Sequence, residues 1–142
     1  MIRIATVAAA LLLSAAPALA QTADNKVVLT FETGARTGMV MVALYDTAAA
    51  FDGNSARPVA ATAVPASGNR VVAAFENLPA GDYAVKAFHD VNGDGEMNTN
   101  PFGMPVEPYA FSNNAVGNMG PARWSAAHFA VSGETAQTIS IR

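Results

Sequence analysis

The sequence predicts an all-β protein: an antiparallel β-sandwich of about seven strands with one long ordered loop. Three observations carry this expectation. Apolar residues recur at every second position in short runs. Turns bearing glycine, proline or asparagine separate most of those runs. Beyond the first twenty residues no segment keeps the 3.6-residue apolar stripe of a helix. Alternation means half-buried strands, and two antiparallel sheets closing on one core satisfy it at this chain length.

Residues 1–20 read as a signal peptide. Arg3 supplies the positive start, residues 4–16 the apolar stretch, and Ala18-Leu19-Ala20 a small-x-small cleavage site, so the mature chain is expected to begin at Gln21. The apolar run is short for a membrane span, and no second long one follows. With no cysteine in the sequence, no lipid anchor follows the cleavage site. The expectation is an exported protein, periplasmic or secreted, whose residues 21–142 form a single β-sandwich domain. The formal charge of −3 becomes one unit more negative when Arg3 is removed. That mild acidity argues against nucleic acid, which requires a basic stripe, and against attraction to an anionic membrane surface. Without disulfides the core must be apolar, and 51% hydrophobic residues are enough to build it.

In chain order, Val27, Leu29 and Phe31 share a face opposite Lys26, Thr30 and Glu32. After a turn at residues 34–38, Val40, Val42 and Leu44 alternate with Met39, Met41 and Ala43. Thr47-Ala48-Ala49-Ala50-Phe51 has helix-forming alanines for no more than a single turn. Residues 59–64 form a weaker, alanine-rich strand, followed by the Ser67-Gly68-Asn69 turn. Val71, Ala73 and Phe75 alternate, Asn77-Leu78-Pro79-Ala80-Gly81 turns the chain, and Tyr83, Val85 and Ala87 alternate again. Phe129 with Val131, then Ile139 with Ile141, flank the Ser132-Gly133-Glu134 turn. Residues 92–122 break the pattern. A stretch of that length without periodicity either binds something or is disordered, and Phe102, Met104, Tyr109, Phe111, Met119 and the adjoining Trp124 are too many apolar anchors for a solvated linker. It is expected to pack back on the end of the sandwich, with Asn113 and Asn114 bonding backbone that lacks a strand partner.

The strongest chemical signal opens that loop. In Asp90-x-Asn92-x-Asp94-Gly95-Glu96-x-Asn98, oxygen-bearing side chains alternate along a glycine-rich turn, which is how a short loop aims hard ligands at one cation. Asp90, Asn92 and Asp94 fall at the first, third and fifth positions of an EF-hand-type loop, Gly95 at the sharp turn, the Glu96 carbonyl next, and Asn98 binding directly or through water. The position of the closing bidentate carboxylate holds Pro101, so Glu107 must fold back to supply it. Such a site would take calcium weakly, at ~10⁻⁴–10⁻³ M. The competing reading is a turn whose Asp and Asn side chains bond their own backbone while Gly93 and Gly95 take positive φ.

The ordered combination of His89-Asp90-x-Asn92-x-Asp94-Gly95, Thr99-Asn100 with Gly103-x-Pro105, Phe111-Ser112-Asn113-Asn114-Ala115 and Gly120-Pro121 resembles a family of small exported bacterial proteins, the domain of unknown function 2141. The resemblance covers most of the mature chain and is strongest over residues 77–131. It implies a compact β-sandwich and export, and brings no activity with it. Asn98 departs from the family pattern, which has aspartate there. The sandwich is expected to be immunoglobulin-like or prealbumin-like. The Leu78-Pro79-Ala80-Gly81-Asp82-Tyr83 turn with the alternating strand after it resembles prealbumin-like and carboxypeptidase-regulatory sandwiches, which commonly serve as adhesion or accessory domains, an analogy of fold alone.

These features point to an exported, non-enzymatic binding or accessory module whose long loop caps a site for a protein, a small molecule or calcium. One alternative is a periplasmic copper-handling protein using His89, His128 and the loop methionines Met97, Met104 and Met119 as soft ligands. The other is a hydrolase with an unrecognised site, although Ser112 and Ser125 carry no nucleophile signature.

Overall fold

The alternating runs become two packed sheets. The computed structural model describes residues 24–53 and 57–142; the signal peptide read at residues 1–20 lies outside the described residues. Among the described residues eight strands form: β1 (Asn25–Arg36), β2 (Met39–Tyr45), β3 (Ala60–Pro65), β4 (Gly68–Leu78), β5 (Gly81–Asp90), β6 (Tyr109–Phe111), β7 (Phe129–Val131) and β8 (Glu134–Ser140). One sheet has the order β4-β1-β8; the other runs β3-β2-β5-β6, with β7 also on β5. The chain is therefore an all-β sandwich. The strand beyond the expected set is β6, three residues inside the long loop, too short to show a period.

The pairing departs from a wholly antiparallel arrangement at one place. β8 lies parallel to β1, from Lys26 opposite Glu134 to Glu32 opposite Ser140. A parallel neighbour requires a long crossover, and here the whole chain between the two strands serves as one. Asn25, 3% exposed, fixes the join. Its side-chain amide donates to the Leu78 carbonyl at 2.8 Å, and its Oδ1 accepts the Gly133 N–H at 2.6 Å, tying the end of β4 to the turn before β8.

Between the sheets lies the core expected from alternation. Val27, Leu29, Phe31, Val40, Val42, Leu44, Val71, Phe75, Tyr83, Val85, Ile139 and Ile141 are buried, and Phe129 packs against them half-buried. The Tyr83 hydroxyl donates to the Pro79 carbonyl at 2.7 Å, pinning the turn into β5.

A second, smaller cluster of Phe51, Ala84, Phe111, Ala122 and Ala127 lies on the outer face of the larger sheet. Two short helices cover it, α1 (Ala48–Asp52), capped by the Thr47 hydroxyl on the Ala50 N–H, and α2 (Trp124–Ala127). The second helix was not legible as a pattern, because four residues make a single turn.

The strands β6 and β7 share one edge of β5 without meeting: β6 pairs with Lys86–Phe88 and β7 with Gly81–Tyr83. Ser112 fills the gap. Its fully buried hydroxyl accepts the Val85 N–H at 2.8 Å and donates to the Ala127 carbonyl at 2.6 Å. As expected, the next two residues bond unpartnered backbone. The Asn113 amide donates to the carbonyls of Ala126 and His128, and Asn114 holds both the Thr138 carbonyl and the Ser140 N–H. Both adopt positive φ, which asparagine tolerates.

Phe75→Ala is expected to lower unfolding free energy by ~3–5 kcal/mol through an unfilled cavity. Phe102→Ala, at a residue 88% exposed, should change it by no more than ~0.5 kcal/mol. Denaturant titrations with equal m-values decide; similar losses in both variants would mean that Phe102 is buried.

Candidate functional site

The acidic loop starts where β5 ends. Asp90 is 1% exposed, and its carboxylate is wrapped by the loop's own backbone. Oδ1 accepts the N–H of Gly93 at 2.7 Å and of Asp94 at 3.2 Å, and Oδ2 accepts that of Gly95 at 2.8 Å. Glu107, also buried, does fold back as the spacing required. Its Oε1 accepts the Val91 N–H at 3.0 Å and its Oε2 the Asn98 N–H at 3.1 Å, clamping the two ends of the turn. Asp94 lies outside this knot in solvent. Its Oδ2 accepts from the side-chain amides of Asn98 at 2.8 Å and Asn92 at 3.1 Å, and its Oδ1 accepts the Glu96 N–H at 2.9 Å. The bond from Asn98 and that from Glu96 hold its carboxyl below the ordinary value of 3.8. The Glu96 side chain is exposed.

The residues read as ligands are thus gathered in one loop, aimed at one another and at backbone N–H groups. Among the described residues no three His, Asp or Glu side chains converge so as to hold a metal ion. Gly93 and Gly95 take φ of 75° and 81°, as the hydrogen-bonded turn requires. One glycine outside the motif also belongs to the site. At Gly38 a Cβ would lie 2.2 Å from the Asp90 carbonyl oxygen, so the β1–β2 turn approaches the knot only because that position has no side chain.

The histidines lie apart. His89 is fully buried on the inner face of β5, with Nε2 2.7 Å from the Thr37 carbonyl. A carbonyl accepts, so Nε2 carries the proton, and the buried Nδ1 has no partner. His128 is exposed and stacks on Trp124 with ring centroids 5.6 Å apart. Met97, Met104 and Met119 line a groove on the outer side of the same sheet. The sheet therefore separates His89 from the methionines.

That groove is the feature that sequence reasoning missed. It has a volume of about 1250 Å³ and lies between the outer face of the larger sheet and the long loop. Met41, Tyr45, Phe88 and Phe111 form part of its floor, and Met97, Met104 and Met119 part of its wall. A finger of the loop, residues 98–106, carries Met104 to that wall. Thr99 bridges Pro105, the Val106 N–H bonds the Asn98 carbonyl, and Asn100 Oδ1 accepts the N–H groups of Phe102 and Met104. Phe102, Met104, Tyr109 and Met119, expected as buried anchors, are exposed instead. The finger is held by those polar bonds, so burial of its apolar side chains is not needed to order it. The signal was present in β2, where Met39, Met41 and Ala43 are apolar opposite an apolar inner face. Such two-sided strands need cover on both faces.

Asp90→Ala removes the buried carboxylate that accepts three part-buried loop N–H groups and should cost about 1.5–3 kcal/mol. Asp94 is more acidic folded than unfolded, so its contribution is complete above pH 3.8. That contribution is lost as pH falls through the lower folded value. Melts from pH 7 to 2 should accordingly show Asp94→Asn as less acid-sensitive than the wild type. Parallel acid profiles would break this account of Asp94.

The model of a protein family described as uncharacterized protein conserved in bacteria, domain of unknown function 2141, matches residues 31–140. No curated protein and no solved structure matches the chain. The match takes in the Asp90 knot, the finger, the Ser112 junction and nearly all of both sheets; the chain belongs to that family.

Proposed function

We propose that the chain is an exported, non-enzymatic binding module, and that its binding face is the groove between the larger sheet and the long loop. One observation carries this reading. Of the nine large apolar side chains exposed among the described residues, six (Phe102, Met104, Val106, Tyr109, Val116 and Met119) belong to the long loop, and Met104, Tyr109 and Met119 line the groove. Clustered exposed apolar groups beside a concave surface mark binding sites, and methionine walls suit ligands of irregular shape. Export rests on the pattern of residues 1–20. A non-catalytic role is supported by how the reactive groups are used. Ser112 is spent on two backbone groups, and the His89 Nε2 on a third. Among the described residues no histidine and methionine side chains gather to support the copper reading.

Nile red, a neutral probe, should bind the folded protein at one saturable site, and Met104→Glu should abolish that site without lowering the melting temperature. Dye uptake that survives Met104→Glu, or that begins only on unfolding, would refute the groove as the binding face.

Calcium enters as a subordinate proposal, favoured because Asp90, Asn92, Asp94, Asn98 and Glu107 share one loop. Binding requires Asn92 and Asn98 to turn their amide oxygens inward, giving up their bonds to Asp94. The resulting site would be weak, at ~10⁻⁴–10⁻³ M. Ten times Kd would stabilise the fold by about 1.4 kcal/mol. Millimolar calcium should then raise the melting temperature of the wild type and leave Asp94→Ala unchanged. Equal shifts with magnesium, which keeps its waters in tight octahedral geometry, would leave the hydrogen-bonded turn alone.

A further inference from the structure

Lys86 stands in the outer face of β5, where the groove meets the helical cover. Its ammonium lies 4.7 Å from the centroid of the Phe51 ring and 5.1 Å from that of Tyr45, so the head rests on two aromatic faces while the residue stays half-buried. Among the described residues lining the groove it alone carries a formal charge. It forms no ion pair among the described residues. Asp52 is near enough to act on it through its field, yet the Asp52 Oδ1 accepts the Trp124 N–H at 2.9 Å. Burial holds the ammonium below its ordinary value of 10.5, with Asp52 opposing that shift. An anion at Nζ would offset the same desolvation.

We propose that the groove binds a single-chain amphiphile with an anionic head, a long-chain carboxylate being the simplest. The head sits on Lys86 Nζ and the chain lies among the methionines. The inference rests on the groove reading above and adds the ligand class to it.

Charge and hydrogen-bonding capacity select this occupant over others. The protein carries a formal charge of −3, so a single half-buried cation at the end of an apolar trough is a local complement to an anion. Beside Lys86, the polar side chains in the lining are those of Tyr45, Thr62 and Tyr109. An extended peptide would bring backbone N–H and C=O groups that this lining cannot satisfy. A hydrocarbon chain brings none. The volume of about 1250 Å³ exceeds the ~300–1,000 Å³ usual for compact small molecules, and unbranched methionine side chains adapt to a flexible chain.

The test is titration calorimetry on the folded chain with dodecanoate, dodecanol and dodecyltrimethylammonium, each below its micelle concentration. Dodecanoate should bind one per chain, about tenfold tighter than dodecanol, a difference of about 1.4 kcal/mol; the cationic detergent should bind weakest. Lys86→Met should erase the advantage of dodecanoate while leaving dodecanol unchanged, and Lys86→Arg should keep it. Equal affinities for dodecanoate and dodecanol, an advantage that survives Lys86→Met, or preference for the cationic head would each overturn the assignment to Lys86. If dodecanol binds and Met104→Glu abolishes it, the groove reading survives such a result. If no amphiphile binds while Nile red still does, the ligand class alone is wrong. If neither binds, both readings fall.

Discussion

The structure depends on one hydroxyl. β5 crosses the middle of the larger sheet with β2 along one edge, but its other edge is shared by two three-residue strands that come from distant parts of the chain. Between them the Val85 N–H would have no ladder partner. An unpaired buried N–H costs roughly 1–3 kcal/mol, and the two short strands would have no common anchor. Ser112 answers both needs, accepting from Val85 and donating to Ala127 from a fully buried position. Alanine there would leave an N–H and a carbonyl unpaired, and threonine would have to place a methyl group in the same closed space. The asparagines beside it extend the junction to β8, so three consecutive polar residues tie the larger sheet to the smaller one.

With β5 fixed, the outer face of the larger sheet becomes the problem that shapes the rest of the molecule. Met41, Ala43, Tyr45, Ala84, Phe88 and Phe111 make that face apolar. The two single-turn helices cover one end with Phe51, Trp124 and Ala127, and the Phe51 ring meets those of Tyr45, Phe111 and Trp124 edge to face at 5.6–6.2 Å. The other end is roofed only at a distance by the finger, and the space between is the groove. A protein that needed only stability would close that space, because apolar area left in water forfeits about 25 cal/mol per Å².

Alternation was enough to read the sandwich and nearly all of its core, because a period of two places each apolar residue on one face and long strands repeat the evidence several times. Phe129 is the single core assignment that is only half-buried, and it lies on a three-residue strand that offers no repetition. The parallel placement of β8 was not legible, since strand direction depends on where the chain re-enters the sheet and leaves no mark on a seven-residue pattern. β6 and α2 were missed for the same lack of length. Glu107 folding back on the acidic loop followed from counting ligands, although its oxygens hold backbone N–H groups. Gly38 was seen as a turn residue; its closeness to Asp90 is a tertiary fact with no local signature.

The polar and apolar residues of the long loop exchange the roles that their chemistry suggests. A carboxylate-rich turn looks like a site, and scattered aromatic and methionine side chains look like the anchors that hold a loop down. Here Asp90, Glu107 and Asn100 do the anchoring. Each places its carboxylate or amide oxygens on two or three backbone N–H groups, and two of the three are buried. Such bonds are directional, so they set the conformation of the turn and the finger without any contribution from Phe102 or Met104. Those side chains are therefore released from packing and stand in solvent above a groove whose floor is equally apolar. Anchoring by polar bonds is the condition that allows a loop to be ordered and still present its apolar groups outward. Of the loop's aromatics Phe111 is spent on packing in the second cluster, which leaves Phe102 and Tyr109 to face outward.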